Sequence, residues 1–535
     1  MPGSPGRVVV VRADASRRMG TGHVLRGLTL AGALRDLGAA VRVVCRAHPG
    51  HLMERIAAEG FPVAGLPAPA AGDDSWLGAS EPTDAEETIA ALAGARPDWL
   101  IVDHYALGAA WEQALRPHVG AILAVDDLAD RPHTCDALLD ANLHPDPEAR
   151  YDGLVPDGCR LLCGPWFAPL RPEYAAARRR RGGPRAGPVR RVLVFYGGSD
   201  ASNETARALR VLSRPPFRAM GVDVVVGANH PDPAGIAALA AARPNITLHG
   251  PRPHLADLMA AADVALGAGG VSVWERATLG LPSLLTVTAA NQAAQVARLE
   301  ETGAVWSLGP VEAVTDDALA DTMAALCDDT DARAGQAAAA FRLTDGRGAA
   351  RVAEALCPDP DRALTARPAT PADAALYFRW LNDPETRRQA FQTQPVPWAI
   401  HAPWFAAALE ASDRWMRVAE TPAGVPVGQV RLDRAAHGGI VSFGLDPLFR
   451  GRGWGPRLLH MARETWAGEA RQSQPQPESR PQPLHGFVRP DNAASLRSFR
   501  RAGFVEAASR HPDAPAGSID MVWTPPDPAQ QEAPA

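Results

Sequence analysis

A histidine stands directly after a glycine-containing turn near the start of the chain. The residues are GTGH, from Gly20 to His23, and the apolar spacing that follows predicts a helix. Gly20 and Gly22 let backbone N–H groups approach a ligand, and the amino end of a helix favours an anion such as phosphate. The same field disfavours a protonated imidazole, so we expect His23 to be neutral near pH 7 and able to accept a proton. The alternative interpretation is a ring that only caps or packs the turn.

Three later segments offer related chemistry. They are Gly198 and Ser199 in a GGS turn, Gly270, Ser272 and Glu275 in GGVSVWE, and the pair Asn291 and Gln292. Ser272 and Glu275 are three residues apart and therefore share one face of a helix. A carboxylate placed there is suited to hold the two hydroxyls of a ribose. Each segment alone is also compatible with an ordinary turn and cap.

Two series of alternating strands and helices must position these residues. Short β-branched or apolar runs occur at 7–11, 41–45, 99–102 and 121–125, and again at 192–196, 222–226, 246–248, 264–266 and 283–287. Such alternation predicts parallel sheets covered by helices on both faces. Open α/β sheets bind ligands at the carboxyl ends of their strands, which is where the candidate residues lie.

A third unit begins after a PDPD linker at 358–361. Thr370 and Asp373 have the spacing of a helix start with proline at the first helical position. Further on, a strand at 441–445 leads into RGRGWG and then a helical segment, which predicts a nest of backbone N–H groups flanked by arginines. A second strand, 486–488, leads into PDNAAS and another helix. Plain turn chemistry is the alternative for the glycine segment.

Bulk composition excludes several classes of protein. With 535 residues, 46% apolar and 21% charged, the chain is globular and contains two to four domains. Its net charge of −6 argues against nucleic acid or an anionic membrane as partner. Six cysteines without a CxxC pair predict neither a zinc site nor a disulfide framework. We expect a soluble cytoplasmic protein, because no signal peptide or membrane-length apolar run is evident.

Three biased segments are interpreted as non-catalytic. The arginine-rich stretch at 178–188 is predicted to be a solvated linker or helix end rather than a nucleic-acid site. The QSQPQPESRPQP stretch at 472–483 is predicted to be a flexible insertion, and the tail at 525–535 to be disordered.

Several motifs recur in one order over residues 7–357. They are RADASRRMGTGHVLRGLTLA, IVDHY, AVDDLAD, GGSD, GGVSVWE and the NQ pair. In this order they resemble the UDP-sugar hydrolases of pseudaminic acid biosynthesis, a family similar to GT-B glycosyltransferases of the MurG type. The resemblance implies two Rossmann-like domains and hydrolysis of UDP-2,4-diacetamido-2,4,6-trideoxy-β-L-altropyranose to the free sugar and UDP. It implies no metal.

The same resemblance implies roles for individual residues. His23 matches the base that activates water, and Asn291 and Tyr105 match polar residues near the reacting centre. The residues implied to bind the UDP-sugar are Gly20, Gly22, Gly198, Ser199, Gly270, Ser272, Glu275 and Gln292. Three strand-end aspartates, Asp14, Asp126 and Asp127, are further candidates for the site, and the favoured interpretation is that they only cap turns.

Residues 364–523 resemble the GNAT acetyltransferases, through R-x-x-G-x-G and the PDNAAS segment. The resemblance implies acetyl-CoA as co-substrate. The residues implied to contact it are Leu445, Arg450, Gly451, Gly453, Gly455, Asn492 and Ser495. One departure is Phe499, where many members of the family carry a tyrosine that protonates the CoA thiolate. Phenylalanine has no such proton, so no catalytic residue is assigned in this unit.

The predicted fold class is α/β: a GT-B-like pair of Rossmann-like domains followed by a GNAT α+β domain. The predicted boundaries are 1–185 and 186–357 for the pair, 358–363 for the linker, 364–524 for the GNAT domain and 525–535 for the tail. Together these imply one chain that N-acetylates a UDP-4-amino-sugar and then removes UDP. The alternatives are a GT-B glycosyltransferase that uses a UDP-sugar donor and a non-catalytic nucleotide-sugar sensor.

Overall fold

The computed structural model describes residues 6–73, 75–473, 482–508 and 511–526. The chain divides into two compact units, Met1–Cys357 and Pro358–Ala535, and the division falls at the start of the PDPD segment. The predicted insertion at 472–483 and the predicted tail at 525–535 lie largely outside the described residues.

The first unit opens with a parallel sheet that has seven strands among the described residues. They are β1 (Val8–Ala13), β2 (Ala40–Arg46), β3 (Val63–Leu66), β4 (Trp99–Asp103), β5 (Ala121–Val125), β6 (Ala137–Asp140) and β7 (Arg160–Cys163). The helices between them are α1 (Gly22–Asp36), α2 (Met53–Ala58), α3 (Glu81–Ala91) and α4 (Ala109–Leu115). The strand order is β3-β2-β1-β4-β5-β6-β7. The order therefore reverses between β1 and β4, and a ligand crevice is expected outside their carboxyl ends.

A second parallel sheet follows, with six strands in the part of the chain that is described. They are β8 (Arg191–Phe195), β9 (Gly221–Val225), β10 (Ile246–His249), β11 (Val264–Ala268), β12 (Ser283–Val287) and β13 (Trp306–Pro310). Its helices are α6 (Glu204–Leu212), α7 (Pro233–Ala241), α8 (Ala256–Ala261), α9 (Ser272–Thr278), α10 (Ala293–Glu301), α11 (Asp316–Asp328) and α12 (Thr330–Leu343), after α5 (Pro172–Arg181) in the connection. The order β10-β9-β8-β11-β12-β13 reverses between β8 and β11. The buried strand β11, with the sequence VALGA, is apolar throughout, as is typical of parallel sheets covered on both faces.

The arginine-rich stretch at 178–188 is the predicted helix end, since α5 ends at Arg181 and the residues after Arg178 are exposed or half-buried, but Arg178 itself is an exception. Arg178 is 4% exposed, and its Nη1 donates to the carbonyls of Thr278, Phe341 and Thr344 at 2.8–3.0 Å. The Thr278 carbonyl lies at the C-terminus of α9, and the other two lie at the C-terminus of α12. Carbonyls at helix C-termini lack a partner within the helix, and a cation can satisfy them. Arg178 therefore ties three segments of the second half together.

A last helix of the first unit, α13 (Gly348–Leu356), returns to the first sheet. It packs against α1, and its terminal carbonyl at Leu356 accepts Arg7 Nη1 at 2.7 Å and Trp99 Nε1 at 2.9 Å. The sequence grouped this segment with the second domain, but its contacts lie with the first.

The second unit is built on a mixed sheet with seven strands among the described residues. They are β14 (Thr365–Pro368), β15 (Arg414–Glu420), β16 (Pro426–Ala435), β17 (Gly438–Leu445), β18 (Leu484–Val488), β19 (Val505–Glu506) and β20 (Ile519–Trp523), and the helices are α14 (Ala374–Leu381), α15 (Pro384–Gln389), α16 (Trp398–Glu410), α17 (Trp454–Ser473) and α18 (Ala493–Arg501). The predicted capping box is present: Thr370 and Asp373 bond reciprocally before α14. Among the described helices of the whole chain, none combines the length and apolar content needed to cross a bilayer.

β17 and β18 are parallel neighbours that separate soon after they meet. Their ladder joins Gly439 to Leu484 and Ile440 to His485, and β17 then runs on to Leu445 without further pairing to β18 within the described residues. The backbone groups of β17 beyond position 440 are therefore open on the side of β18 to an extended ligand.

Candidate functional site

His23 lies at the switch point of the first sheet, paired with a buried carboxylate. Its Nδ1 is 2.6 Å from Oδ1 of Asp103, the last residue of β4. Burial alone would raise the pKa of Asp103, but Arg26 and His23 outweigh that effect and hold the pKa well below its ordinary value. Because the carboxylate is ionised, Nδ1 must donate the proton, which leaves Nε2 as the acceptor. The pair has the arrangement of an oriented general base.

Three more side chains complete this cluster. Arg26 donates from Nη2 to Asp103 at 2.6 Å and from Nη1 to Asp127 at 3.2 Å. The Tyr105 ring meets the His23 ring edge-on, with centroids 4.7 Å apart. Burial and the nearby Asp127 carboxylate raise the pKa of Tyr105, so its phenol remains a donor. Oδ1 of Asp127 is buried and has no hydrogen-bond partner among the described residues, which makes it an available acceptor for a ligand hydroxyl.

The structure thus brings His23 and Tyr105 together and adds Asp103 and Arg26, which sequence reasoning missed. Signals for both existed, since Asp103 stands in the IVDHY motif and Arg26 is three residues after His23 on one helical face. The interpretation of Asp127 as a turn cap was wrong, whereas Asp126 does accept the backbone N–H of Ala129 at 2.9 Å in a turn.

The turn before His23 has the open backbone that the glycines implied. Gly20 has a φ of +79°, and a Cβ there or at Gly22 would meet no atom within 4 Å. Thr21 at the N-cap makes no side-chain capping bond, so the amino end of α1 is left to other acceptors. A phosphate or hydroxyl would satisfy it.

Below this cluster lies a buried charge network that includes Asp14. Asp14 accepts Arg12 Nη1 at 2.6 Å and the backbone N–H of Arg46 at 2.7 Å, so its interpretation as a turn cap was wrong. Its Oδ2 lies 3.6 Å from His104 Nε2 and 3.7 Å from His48 Nε2, and all three atoms are buried without hydrogen-bond partners in the described structure. Burial lowers the pKa of His104 to about 3.

We expect His104 to make the folded protein less stable in acid. A histidine with a depressed folded pKa binds a proton more readily when unfolded, so stability is lost as pH falls from about 6.5 towards 3, by at most about 1.4 kcal/mol per pH unit. In His104→Asn the amide oxygen still accepts the Ala106 N–H that Nδ1 accepts at 3.1 Å. The first thermal transition should therefore depend less on pH between 7 and 4 in this variant; equal slopes in both proteins would contradict the prediction.

The loop after β8 holds strained residues at the second switch point. Asp200 and Asn203, which are not glycines, have φ of 42° and 56°, and non-glycine residues in this region commonly mark functional sites. Asp200 accepts the N–H groups of Glu204 and Thr205 at 2.9 Å and so caps α6. Gly198 and Ser199 are exposed on this loop, and their backbone forms part of the switch-point rim.

The loop after β11 is held by glutamines. Gln292 Oε1 accepts Gly269 N at 3.2 Å and Thr288 N at 3.1 Å, and Gln295 Nε2 donates to the Gly269 carbonyl at 3.4 Å. Gln292 therefore shapes the turn beside Gly270 with its oxygen. Asn291 is exposed at the carboxyl end of β12, and Gln295 was not foreseen from the sequence.

The short helix α9 carries Ser272 and Glu275 as predicted. Ser272 Oγ accepts Arg276 Nη1 at 3.3 Å, and Arg276 Nη2 donates to the Ala268 carbonyl at 2.7 Å. Burial lowers the pKa of Arg276 to about 10 and raises that of Glu275, whose carboxylate receives the Tyr174 hydroxyl. No sequence pattern pointed to Tyr174, which lies on α5 about a hundred residues earlier.

In the second unit, the glycine turn before α17 forms an open cradle. Gly451 and Gly453 have φ of +77° and +79°, and a Cβ at either would meet nothing within 4 Å. Gly455 approaches Ser498 of α18, since a Cβ there would lie 2.7 Å from its Oγ. The Arg450 guanidinium is directed to Asp383 at 2.5 Å and Thr386 at 3.0 Å.

The remaining residues predicted for this unit border the separation of β17 and β18. Leu445 ends β17, and Asn492 caps α18 by accepting Ser495 N at 3.0 Å. Phe499 is buried against Gly486 of β18, where a Cβ would lie 2.3 Å from its ring. Phe499 therefore fills space in the core, and its ring supplies no proton. Among the described residues, no group of three or more acidic, histidine or cysteine side chains is placed to hold a metal ion.

Two doubly wound parallel sheets with glycine turns at both switch points, followed by a mixed sheet with a glycine cradle, define the class: a pair of Rossmann-like α/β sheets joined to an α+β unit. The family described as Acetyltransferase (GNAT) domain matches residues 363–505, so the second unit carries a GNAT domain.

The first unit is similar to a curated sugar-nucleotide enzyme. UDP-2,4-diacetamido-2,4,6-trideoxy-beta-L-altropyranose hydrolase of Campylobacter jejuni is 28% identical over 253 residues, which cover 47% of this chain and 81% of that protein. Spore coat polysaccharide biosynthesis protein SpsG of Bacillus subtilis is 27% identical over 199 residues, covering 37% and 58%. The crystal structure of Acinetobacter baumannii MurG aligns with a TM-score of 0.48 and 16% identity over 66% of this chain and all of that one. The chain thus joins a region resembling the hydrolase to a GNAT domain.

Proposed function

We propose that the first unit hydrolyses UDP-2,4-diacetamido-2,4,6-trideoxy-β-L-altropyranose at its anomeric carbon, giving the free sugar and UDP. The observation that carries this proposal is the His23–Asp103 pair at the switch point of the first sheet. The similarity to the Campylobacter hydrolase supports the choice of substrate.

In this mechanism His23 acts as the general base. Nε2 takes a proton from water, the water oxygen bonds to the anomeric carbon, and the bond from that carbon to the UDP oxygen breaks. Asp103 stabilises the imidazolium that forms, while Arg26 fixes the carboxylate with two donors. The Tyr105 phenol and the free Oδ1 of Asp127 are placed to orient polar groups of the sugar.

The second sheet holds the nucleotide in this proposal. The open loops at Gly198 and Gly270 present backbone donors to the phosphates, and Ser272 adds a hydroxyl. Glu275 accepts the ribose hydroxyls, with Tyr174 fixing one carboxylate oxygen. Arg276, buried beneath the loop, adds positive charge close to the leaving group.

Glu275→Ala should weaken UDP binding by about 1–3 kcal/mol, the cost of removing a hydrogen bond to a charged group. Calorimetric titration of UDP into the full chain measures this directly. Tyr174→Phe serves as a comparison: it keeps the carboxylate and removes the neighbouring hydroxyl, which also accepts the Leu255 backbone N–H at 3.0 Å, so its effect on UDP affinity should be smaller. Unchanged UDP affinity in Glu275→Ala would remove this residue from the nucleotide site.

We further propose that the second unit transfers acetyl from acetyl-CoA to the 4-amino group of the UDP-sugar precursor. Two places in the unit fit this co-substrate. The open edge of β17 can pair with the amide groups of its pantetheine arm, and the Gly451 and Gly453 cradle offers backbone donors to its pyrophosphate. Asn492 and Ser495 border the same opening at the start of α18. Since the Arg450 guanidinium is engaged by Asp383, backbone groups carry most of this binding.

Hydrolysis is distinguished from glycosyl transfer by whether the release of UDP requires an acceptor. Purified protein supplied with the diacetamido UDP-sugar alone should release UDP and free sugar in equal amounts. A glycosyltransferase would release UDP at a comparable rate only after an acceptor is added, and a sensor would bind the ligand without turnover. Either of those results would reject the hydrolase proposal.

A further inference from the structure

A second group of titratable side chains, not used above, lies in the acetyltransferase unit. His485 on β18 places Nδ1 3.0 Å from Oδ1 of Asp520 on β20. The His511 ring follows at 4.5 Å from that of His485, and the His437 ring at 5.9 Å from that of His511, measured between centroids. His485, Asp520 and His511 are buried, whereas His437 is exposed. The three rings form a row that runs from solvent into the unit.

The inner end of this row lies where β17 and β18 separate. His485 pairs with Ile440 at the last rung of the ladder between these strands. Its neighbour Gly486 faces Phe499 of α18, and successive strand residues face opposite sides of a sheet. His485 therefore faces away from α18, at the start of the open edge of β17.

The hydrogen-bond pattern shows which ring nitrogens of His485 and His511 carry a proton. Asp520 accepts Nδ1–H of His485, and its other oxygen accepts the backbone N–H of His511 at 3.2 Å, so Nε2 of His485 is left as a proton acceptor. His511 Nδ1 accepts the backbone N–H of Asp513 at 3.1 Å, which places its own proton on Nε2. That Nε2 is buried and has no partner among the described residues. An orphaned buried donor needs a partner, and a water or a neighbouring ring nitrogen would supply it.

We propose that His485, oriented by Asp520, is the base that deprotonates the amino group of the acceptor. The proposal rests on the proposed acetyl transfer. The acceptor ammonium gives one proton to Nε2 of His485, the freed amine nitrogen bonds to the thioester carbonyl carbon, and the carbon–sulfur bond breaks. The amine gives up its second proton to the departing sulfur, so the products are amide and thiol, and the proton held on His485 passes to solvent before the next turnover.

The charges that face His485 favour its role as a base. Asp520 lies beside both inner rings and stabilises the imidazolium that forms on His485, and Asp513 Oδ2 lies 3.9 Å from His511 Nδ1. Burial and the neighbouring His485 lower the pKa of His511, so this ring adds no second positive charge beside the protonated base. Because the base must be unprotonated, we expect kcat for acetyl transfer to fall on the acid side in a His485-dependent manner.

The test compares His485→Gln with His460→Gln, a matched change of an exposed histidine on α17. Release of CoA from acetyl-CoA and the UDP-4-amino-sugar is first measured with the wild-type chain, because failure there rejects the proposed acetylation itself. His485→Gln should lower kcat by about 10²–10³-fold, flatten the acid limb of the pH profile and leave CoA affinity unchanged in calorimetry. Added imidazole should restore activity, and His460→Gln should behave like wild type.

Two further variants keep the proposal falsifiable. Asp520→Asn preserves size and removes the carboxylate that orients His485, so it should reduce kcat without imidazole rescue, because the His485 ring still fills the site. His437→Gln, at the exposed end of the row, should behave like wild type. A His485→Gln protein that turns over within a few-fold of wild type would overturn the proposal. A loss of activity in His485→Gln that imidazole does not restore would also overturn it, whatever the melting temperature, because it would indicate a structural role.

Discussion

His23→Ala should lower the kcat of UDP-sugar hydrolysis by about 10²–10⁴-fold, the usual contribution of a positioned proton acceptor. UDP should still bind with nearly its normal affinity, because its proposed contacts lie on the second sheet. Acetyl transfer by the second unit should be unaffected. Steady-state kinetics with the UDP-sugar and calorimetry with UDP measure these quantities on one preparation.

Two variants separate this chemical role from a packing role for the buried ring. Asp103→Asn leaves the imidazole in place but removes the carboxylate that orients it at 2.6 Å, so it should also lose activity. His118→Ala changes an exposed histidine of the same half and should be neutral. A His23→Ala protein with a lowered melting temperature but turnover within a few-fold of wild type would end the general-base interpretation.

Gly453→Val should raise the Kd for acetyl-CoA by about 10²–10³-fold. Valine at a φ of +79° is strained by about 1–2 kcal/mol, so the turn is expected to leave its cradle conformation. Its branched side chain would also occupy the open space beside the turn, where the pyrophosphate is proposed to bind. UDP-sugar hydrolysis should continue. Calorimetric titration of CoA and the kinetics of both reactions test this expectation.

The matched control for that variant is Gly424→Val. Gly424 has a similar φ of +72° but lies in the connection between β15 and β16. Gly424→Val should lose stability through backbone strain but should keep its affinity for CoA. Equal acetyl-CoA saturation curves for Gly453→Val and the wild type would contradict the assignment of the cradle.

Local patterns predicted the elements well, because buried parallel strands are continuous apolar runs and their turns are marked by glycine. The run at 121–125 matches β5 at both ends, and the one at 283–287 matches β12. The switch points then follow from strand order, which places His23 beside Tyr105 although 82 positions separate them. The fold class was confirmed by the two parallel sheets and the GNAT match.

Side-chain partners were much less predictable, since they depend on which strands become neighbours. No local pattern indicated that Asp103 would orient His23, or that Asp14 would be buried between arginine and histidine side chains rather than cap a turn. Arg178 carried the composition of a solvated stretch, yet its guanidinium closes helix ends that are distant in the chain. Charge in a sequence does not reveal which carbonyls will need a donor.

In the proposed function, one chain acetylates a UDP-4-amino-sugar and then removes UDP from the product. The most direct measurement incubates the purified full chain with UDP-4-amino-sugar and follows CoA, UDP and free sugar separately, with and without acetyl-CoA. We predict that with acetyl-CoA, CoA appears first and UDP and free N-acetylated sugar follow in equal amounts, and that without it UDP release is slow. UDP release that is equally fast without acetyl-CoA, or no CoA release at all, would contradict the account.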